Sequence, residues 1–294
     1  MTGLYAWLAK LAGEGTIPDA FRFAFFVRGI LSILVLAPLL GGLSHLVVAR
    51  RLSFFSAALG QAALTGLTIG LLLGEPINGA YGGLFGFCAL SALAMVWVKR
   101  HARLPSDTLV GVFLSLTLGL GICLLVAVTK RFNVHQIEAV MFGSLLTVTD
   151  ADLLLLLGLA VMVGLLLGWI YNDLLLDSLD SSIARAAGIR TTLLEYVFVL
   201  VLTASIVMSL KVIGALLIEA MVVVPAAASR NLARGTRSYL AGSILTALVA
   251  GVGGLFLSSR FLVPSGGAVV LALSGIFFAT LGLAWIGRTM RGPG

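Results

Sequence analysis

Nine long apolar stretches separated by short polar joints constrain this chain more than any other feature. They lie near 27–48, 57–74, 80–98, 108–128, 153–171, 193–210, 212–228, 239–259 and 267–287. A helix needs roughly 20 mainly apolar residues to cross a bilayer, and a helix satisfies its own backbone polar groups there. Only 11% of the residues are charged, against about 25% in a typical soluble domain. The expectation is an all-α, polytopic membrane helical bundle. The sixth and seventh stretches are short and separated only by Lys211, so they are either two crossings or one broken element. The count therefore stands at eight or nine spans.

Residues 1–26 are expected to form an N-terminal interfacial segment, and residues 27–294 the transmembrane domain. Leu4, Trp7, Leu8 and Leu11 recur at helical spacing, which suits a short helix lying on the membrane surface rather than a signal peptide. The intervals near 129–152 and 172–192 are too short for a soluble domain. Gly66–Gly70, Gly82–Gly86 and Gly164–Gly168 have the spacing that lets helix backbones approach closely. Pro38 and Pro225 fall inside spans and predict kinks. Cys88 and Cys123 lie in apolar runs without ligand spacing and read as small core residues.

Charge gives orientation rather than a nucleic-acid signal, despite the net +7. With nine crossings, one face collects Arg50, Arg51, Lys99, Arg100, Arg103, Arg185, Arg190, Arg230, Arg234, Arg237, Arg288 and Arg291. The other holds the smaller set Lys10, Arg22, Arg28, Lys130, Arg131, Lys211 and Arg260. The positive-inside rule makes the first face cytoplasmic, with the C-terminus on it and the N-terminal segment outside; if the sixth and seventh stretches are not two crossings, the N-terminal placement reverses relative to the C-terminus.

Glu219 stands alone in the apolar run from Val212 to Ala228. A carboxylate at membrane depth is expensive, which makes it the leading candidate for a transport function. Lys211 is two helical turns away, about 12 Å, too far for a direct pair on an unbroken helix. No G-x-x-x-x-G-K-[ST] loop, H-E-x-x-H, paired C-x-x-C or G-x-S-x-G elbow occurs in the chain. The chain thus carries no recognisable energy-converting or catalytic motif, and pumping would draw on a partner subunit or an ion gradient. In the interval 172–192, Asp180, Ser181 and Ser182 can cap a short helix through Ile183, Ala184 and Ala187 that stops at Gly188. Such a helix suits docking to a cytoplasmic partner, as well as an ordinary interhelical loop. His45 reads as an interhelical residue, His135 as a loop histidine, and Glu195 as a carboxylate suiting a helix start.

Five stretches in order resemble the permease subunits of the ABC-type zinc and manganese importers. These are Arg50–Phe55 leading into Leu59–Gly66, Met141–Thr149, Asp180–Ile189 with its D-x-x-x-A-x-x-x-G-I pattern, Val212–Ala228, and Val263–Gly267. The resemblance implies a multi-pass protein of the cell (inner) membrane. It implies a homodimer of permeases, two cytoplasmic ATP-binding subunits and an extracytoplasmic metal-binding protein. The chain itself would be non-catalytic, with no covalently bound cofactor and with zinc as the first-ranked cargo and manganese as the second. Asp180, Ala184, Arg185 and Gly188 would then couple to the ATPase. Members usually carry G-D-x-L-S-H-A on the second helix. The matching residues here are Ser56 to Ala62, with Ala57 at the Asp position and Gln61 at the His position. Glu219 stands where the family usually has a small or apolar residue. Glu219 and Gln61 are therefore expected either to rebuild a polar transit site or to mark a changed cargo, such as a chelated metal. A stand-alone gradient-driven cation carrier is the alternative from a different class, and a structural membrane scaffold is a third.

Overall fold

The computed structural model describes residues 19–75, 81–102, 105–129, 148–261 and 263–289. The interfacial helix near 4–11, His135, and residues 141–147 of the second resembling stretch lie outside them. Among these residues a 3-10 turn at Asp19–Arg22 is followed by ten helices. These are α1 (Ala24–Ala49), α2 (Phe55–Leu72), α3 (Tyr81–His101), α4 (Ser106–Thr129) and α5 (Asp150–Leu179). They continue with α6 (Ser181–Ala186), α7 (Thr191–Ile213), α8 (Ala215–Arg230), α9 (Thr236–Phe261) and α10 (Ser265–Thr289). No strand occurs among the described residues.

Eight of these helices are long and apolar enough to cross a membrane. The outward apolar surface that this requires is visible on α5 and α10, where Trp169 is 84% exposed and Leu271 69%. Contiguous apolar surface on this scale is compatible with lipid and not with water. α8 has only 16 residues, about 24 Å of rise, and falls short of a full span. α5 has 30 residues, about 45 Å, and so overshoots the hydrocarbon layer. Residues 172–179, expected as loop, instead prolong α5; Leu174 is fully buried there and holds that extension to the protein.

The chain separates into two compact units. The first comprises Met1–His45, Gly143–Met162 and Val212–Gly294; the second comprises Leu46–Phe142 and Val163–Lys211.

In the first unit α8 and α9 pack with α10. Ser44 Oγ accepts from the Ala226 amide at 3.1 Å, one residue past Pro225. Ser243 Oγ donates to the Gly41 carbonyl at 2.8 Å, and the His45 and Tyr239 rings lie edge-on with centroids 4.6 Å apart. At the other end of α1, Phe26 meets Phe256 with centroids 5.5 Å apart. The C-terminal ends of α1 and α8 and the start of α9 therefore share one face. His45 is interhelical, as expected. Asn231 Nδ2 donates to Thr280 Oγ1 at 3.1 Å, which ties α10 to the same end.

In the second unit α2 packs between α3 and α4. Gly66 and Gly70 do serve close approach, but their partner is Gly83 rather than Gly82 or Gly86. A Cβ on Gly83 would strike the Gly66 and Gly70 backbone, whereas one on Gly86, Gly164 or Gly168 would meet open space. Thr65 Oγ1 donates to the Thr117 carbonyl at 2.6 Å and fixes α2 against α4. Cys88 is buried as expected, but Cys123 is exposed beside Ile122 on the outward face of α4, where lipid accommodates a thiol without a core.

Candidate functional site

The face shared by the α1 and α3 C-termini and the α7 N-terminus is rich in ion pairs. Arg50 follows α1 and donates through Nη2 to Asp177 Oδ2 at 2.7 Å and to the Leu174 carbonyl at 3.3 Å. Both side chains of the pair are less than a tenth exposed, and the guanidinium lies 5.2 Å from the Phe198 ring centroid. Burial lowers the Arg50 pKa, and the Asp177 charge and hydrogen bond oppose that shift. Lys99 Nζ and Arg100 Nη2 both reach Glu195, at 2.9 and 2.6 Å, and Arg100 also donates to Thr192 Oγ1 at 2.8 Å. Glu195 does sit in the first turns of α7, but two cations from α3 hold it there. None of these pairings was visible locally, because each joins residues about a hundred positions apart.

Arg51 ends α1 with φ +56°. Leu52 donates to the Val47 carbonyl and Arg51 to that of Val48, the double bond of a Schellman close. That left-handed position usually belongs to glycine and costs another L residue about 1 kcal/mol.

α6 uses each element of the D-x-x-x-A-x-x-x-G-I pattern. Asp180 is its N-cap, accepting from the Ser182 amide at 2.7 Å and from Ile183 at 3.3 Å. Those two amide bonds hold the Asp180 carboxyl below its ordinary range. Ala184 is fully buried and is the residue by which the short helix seats. Gly188 takes φ +81°, the left-handed close that lets its amide bond the Arg185 carbonyl and the Ile189 amide bond the Ala184 carbonyl, both at 3.0 Å. Arg185 is exposed, with Ile183 and Leu179. The result is a rigid, six-residue projection with an apolar and cationic outer surface, held to α5 at Asp177 by Ser181 Oγ at 3.3 Å.

The intramembrane candidates fall in different units: Glu219 on α8 in the first, Gln61 on α2 in the second. Glu219 is half-exposed, on the same side of α8 as Val223 and Ala227. No described hydrogen bond or ion pair engages it, and the Lys211 side chain lies outside the described ones. On α2, buried almost all round, Ala57 and Gln61 are half-exposed one turn apart. No group of three or more His, Cys, Asp or Glu residues that could hold a metal ion occurs among the described residues.

The break between α7 and α8 is at Gly214, with φ +80° and ψ 162°. That combination is essentially closed to other residues. The sequence marked a discontinuity only by Lys211, three residues early.

The sequence model described as the ABC 3 transport family matches residues 22–284. The manganese import system permease protein ScaB of Streptococcus gordonii is 28% identical over 89% of this chain and 92% of its own length. The high-affinity zinc uptake system membrane protein ZnuB of Haemophilus influenzae is 27% identical over 88% of this chain and 96% of its own. Among solved structures, PsaBC from Streptococcus pneumoniae in complex with Fab has a chain 25% identical to this one. It superposes with a TM-score of 0.77 and covers 95% of both chains.

Proposed function

This chain belongs to the ABC 3 transport family, and from that membership we propose that it is the membrane-spanning permease subunit of an ATP-driven importer of divalent metal, zinc or manganese. The observation that carries the proposal is the likeness over nearly the whole chain, in sequence and in fold, to permeases named for those two metals. It is a multi-pass protein of the cell (inner) membrane. An ABC permease works with an ATPase and a substrate-binding protein. Here the assembly is read as two permease copies, two cytoplasmic ATP-binding subunits and one extracytoplasmic metal-binding protein. ATP hydrolysis belongs to the partner, and this chain supplies the path.

Within that reading α6 is the element that receives force. Its two closed ends, at Asp180 and Gly188, make it rigid, its buried Ala184 seats it, and Arg185 on the outer surface faces the ATPase. Glu219 is the cargo-binding carboxylate, and Gln61 lines the path where relatives usually carry a histidine. A carboxylate oxygen suits both manganese and zinc, whereas a lone amide is a weak ligand for either. This set is poorer in nitrogen than the Asp and His pair it replaces, which favours the harder manganese ion.

The test is ATP-dependent uptake of zinc and manganese by vesicles containing the assembled importer, with Glu219→Gln beside the native chain. Loss of at least tenfold in uptake, with the ATPase still bound, is expected. Native uptake of both metals in that variant removes Glu219 from the path. Uptake of a metal chelate but of neither free ion would move the cargo assignment to the chelate. Failure of any ATPase to co-purify would favour the gradient-driven carrier.

A further inference from the structure

α6 is joined to its neighbours with little slack. Only Asp180 separates it from α5, and Ala187 to Arg190 separate it from α7. That second joint is tied back by the Ile189 amide on the Ala184 carbonyl and the Leu194 amide on the Arg190 carbonyl, both at 3.0 Å. About one turn beyond each joint stands an anchored carboxylate. Asp177 holds Arg50, where α1 gives way to α2, and Glu195 holds the end of α3.

The Glu195 anchor constrains orientation. Lys99 Nζ donates to Oε1 at 2.9 Å and Arg100 Nη2 to Oε2 at 2.6 Å, so both carboxylate oxygens are engaged. The other arm of the Arg100 guanidinium donates to Thr192 Oγ1 at 2.8 Å. Residues three apart share one side of a helix, so the planar fork of Arg100 spans a turn at the start of α7. Such a grip resists rotation of α7 against α3. The two cations are 33% and 31% exposed and the carboxylate 16%. Partly exposed ion pairs add little to folding stability, so the clamp fixes a geometry more than it holds the fold together.

Both anchors lead to α2. Arg50 precedes its first residue, Phe55, and the corner between them is closed by the Leu52 amide on the Val47 carbonyl and the Phe55 amide on the Leu52 carbonyl, both at 2.9 Å. α3 has no room to slide on α2: Gly83 meets the Gly66 and Gly70 backbone, and Cys88 Sγ lies 3.9 Å from the Leu59 carbonyl. Where the corner meets α3, α4 and α7, between Leu52, Phe55, Met95, Leu109 and Glu195, the free space is about 20 Å³, room for about one water. Ala57 and Gln61 stand in the first two turns of α2.

We infer that Glu195 is a positioning residue for transport. Clamped by Lys99 and Arg100, it is the second of two anchors, beside Asp177 on Arg50, through which a displacement of α6 moves α2 and the path residues on it. A contiguous series of packed helices and ion pairs can carry such a displacement. The inference rests on the reading of α6 as the element that receives force from the ATPase.

The experiment is zinc and manganese uptake per ATP hydrolysed, in vesicles containing the assembled importer, with melting temperature and ATPase retention measured on the same preparations. Glu195→Gln keeps the shape of the side chain and removes its charge; Lys99→Gln with Arg100→Gln removes the cations. Each should lower uptake per ATP at least fivefold, with the ATPase bound. Lys99→Arg keeps charge and reach, and should keep the ratio within twofold of native. Hydrogen-exchange protection of the α6 amides should be unchanged in Glu195→Gln, which places the fault beyond α6. A clamp that only supports the fold would lower the melting temperature and leave the ratio native, and that result overturns the inference. So does loss of the ATPase from either neutral variant, which would make the cluster a docking surface, or an equal fall in Lys99→Arg. Absence of ATP-driven uptake from the native complex would instead refute the reading of α6, and the inference with it.

Discussion

Removing one member of the Arg50–Asp177 pair should be far more damaging than removing both. The two side chains are 8% and 9% exposed and in contact at 2.7 Å. Unit charges at 2.7 Å attract by about 6 kcal/mol at an effective dielectric constant near 20. Asp177→Ala leaves the guanidinium buried against Phe198 with the Leu174 carbonyl, at 3.3 Å, as its remaining described acceptor. A buried charge stripped of its partner costs about 3–5 kcal/mol, whereas replacing both charges by apolar groups of similar volume is close to neutral. Arg50→Met should therefore cost less than Asp177→Ala, because a lone carboxylate can take up a proton and an arginine cannot release one. The Arg50→Met, Asp177→Leu double variant should recover about 3 kcal/mol relative to the sum of the single variants, more than a hundredfold in the folded-to-unfolded ratio. Reversible unfolding in mixed micelles, read as a double-mutant cycle, measures this. Additive single effects would mean that the pair is not held as a buried unit, and would undo the reasoning.

The remaining expectations concern α6 and the packing of α2. Asp180→Ala should raise the hydrogen-exchange rates of the Ala184 to Ile189 amides and lower transport per ATP hydrolysed, with the permease still in the membrane. Because the folded-state pKa of Asp180 lies below its ordinary value, the cap's contribution is complete above the ordinary carboxylate range and fades as pH falls through the depressed value. Protection factors of the α6 amides in the native protein, with exchange normalised to the intrinsic rate at each pH, should therefore stay constant down to mildly acidic pH and fall only below it; a fall already near neutrality would refute the cap. Gly83→Ala should destabilise by about 2–4 kcal/mol, since its Cβ would meet backbone rather than a side chain that can swing away. Gly86→Ala, one turn on with open space before it, should be neutral or slightly stabilising in thermal melts.

Much of the architecture was legible because a membrane span is a local signal, complete within some 20 residues. The same holds for α6, whose cap, seat and stop lie within the ten residues Asp180 to Ile189. What escaped was non-local. Asp177 finds Arg50 across 127 positions and Glu195 finds Lys99 across 96, and no pattern near either carboxylate announces its partner. The glycines failed for a related reason: GxxxG spacing names a face that can approach closely, but the neighbour's shape decides which face is used. The extension of α5 to Leu179 was hidden because Asn172, Asp173 and Asp177 read as loop, although one of them is an anchor. Glu219 and Gln61 were singled out by chemistry alone, and each is half-exposed in its own unit.

The break at Gly214 has a consequence for where water resides. Interrupting the ladder leaves the last carbonyls of α7 and the first amides of α8 without partners in their own helices. Hydrocarbon offers such groups nothing, at a cost of several kcal/mol each. Val212, Ile213, Leu217 and Ile218 around the joint are buried, so lipid tails do not reach it. Hydration or neighbouring protein must serve those groups, and a dry apolar interior is ruled out at this level. The joint thus demands polar company within an otherwise oily stretch of chain, and Glu219 follows it by five residues.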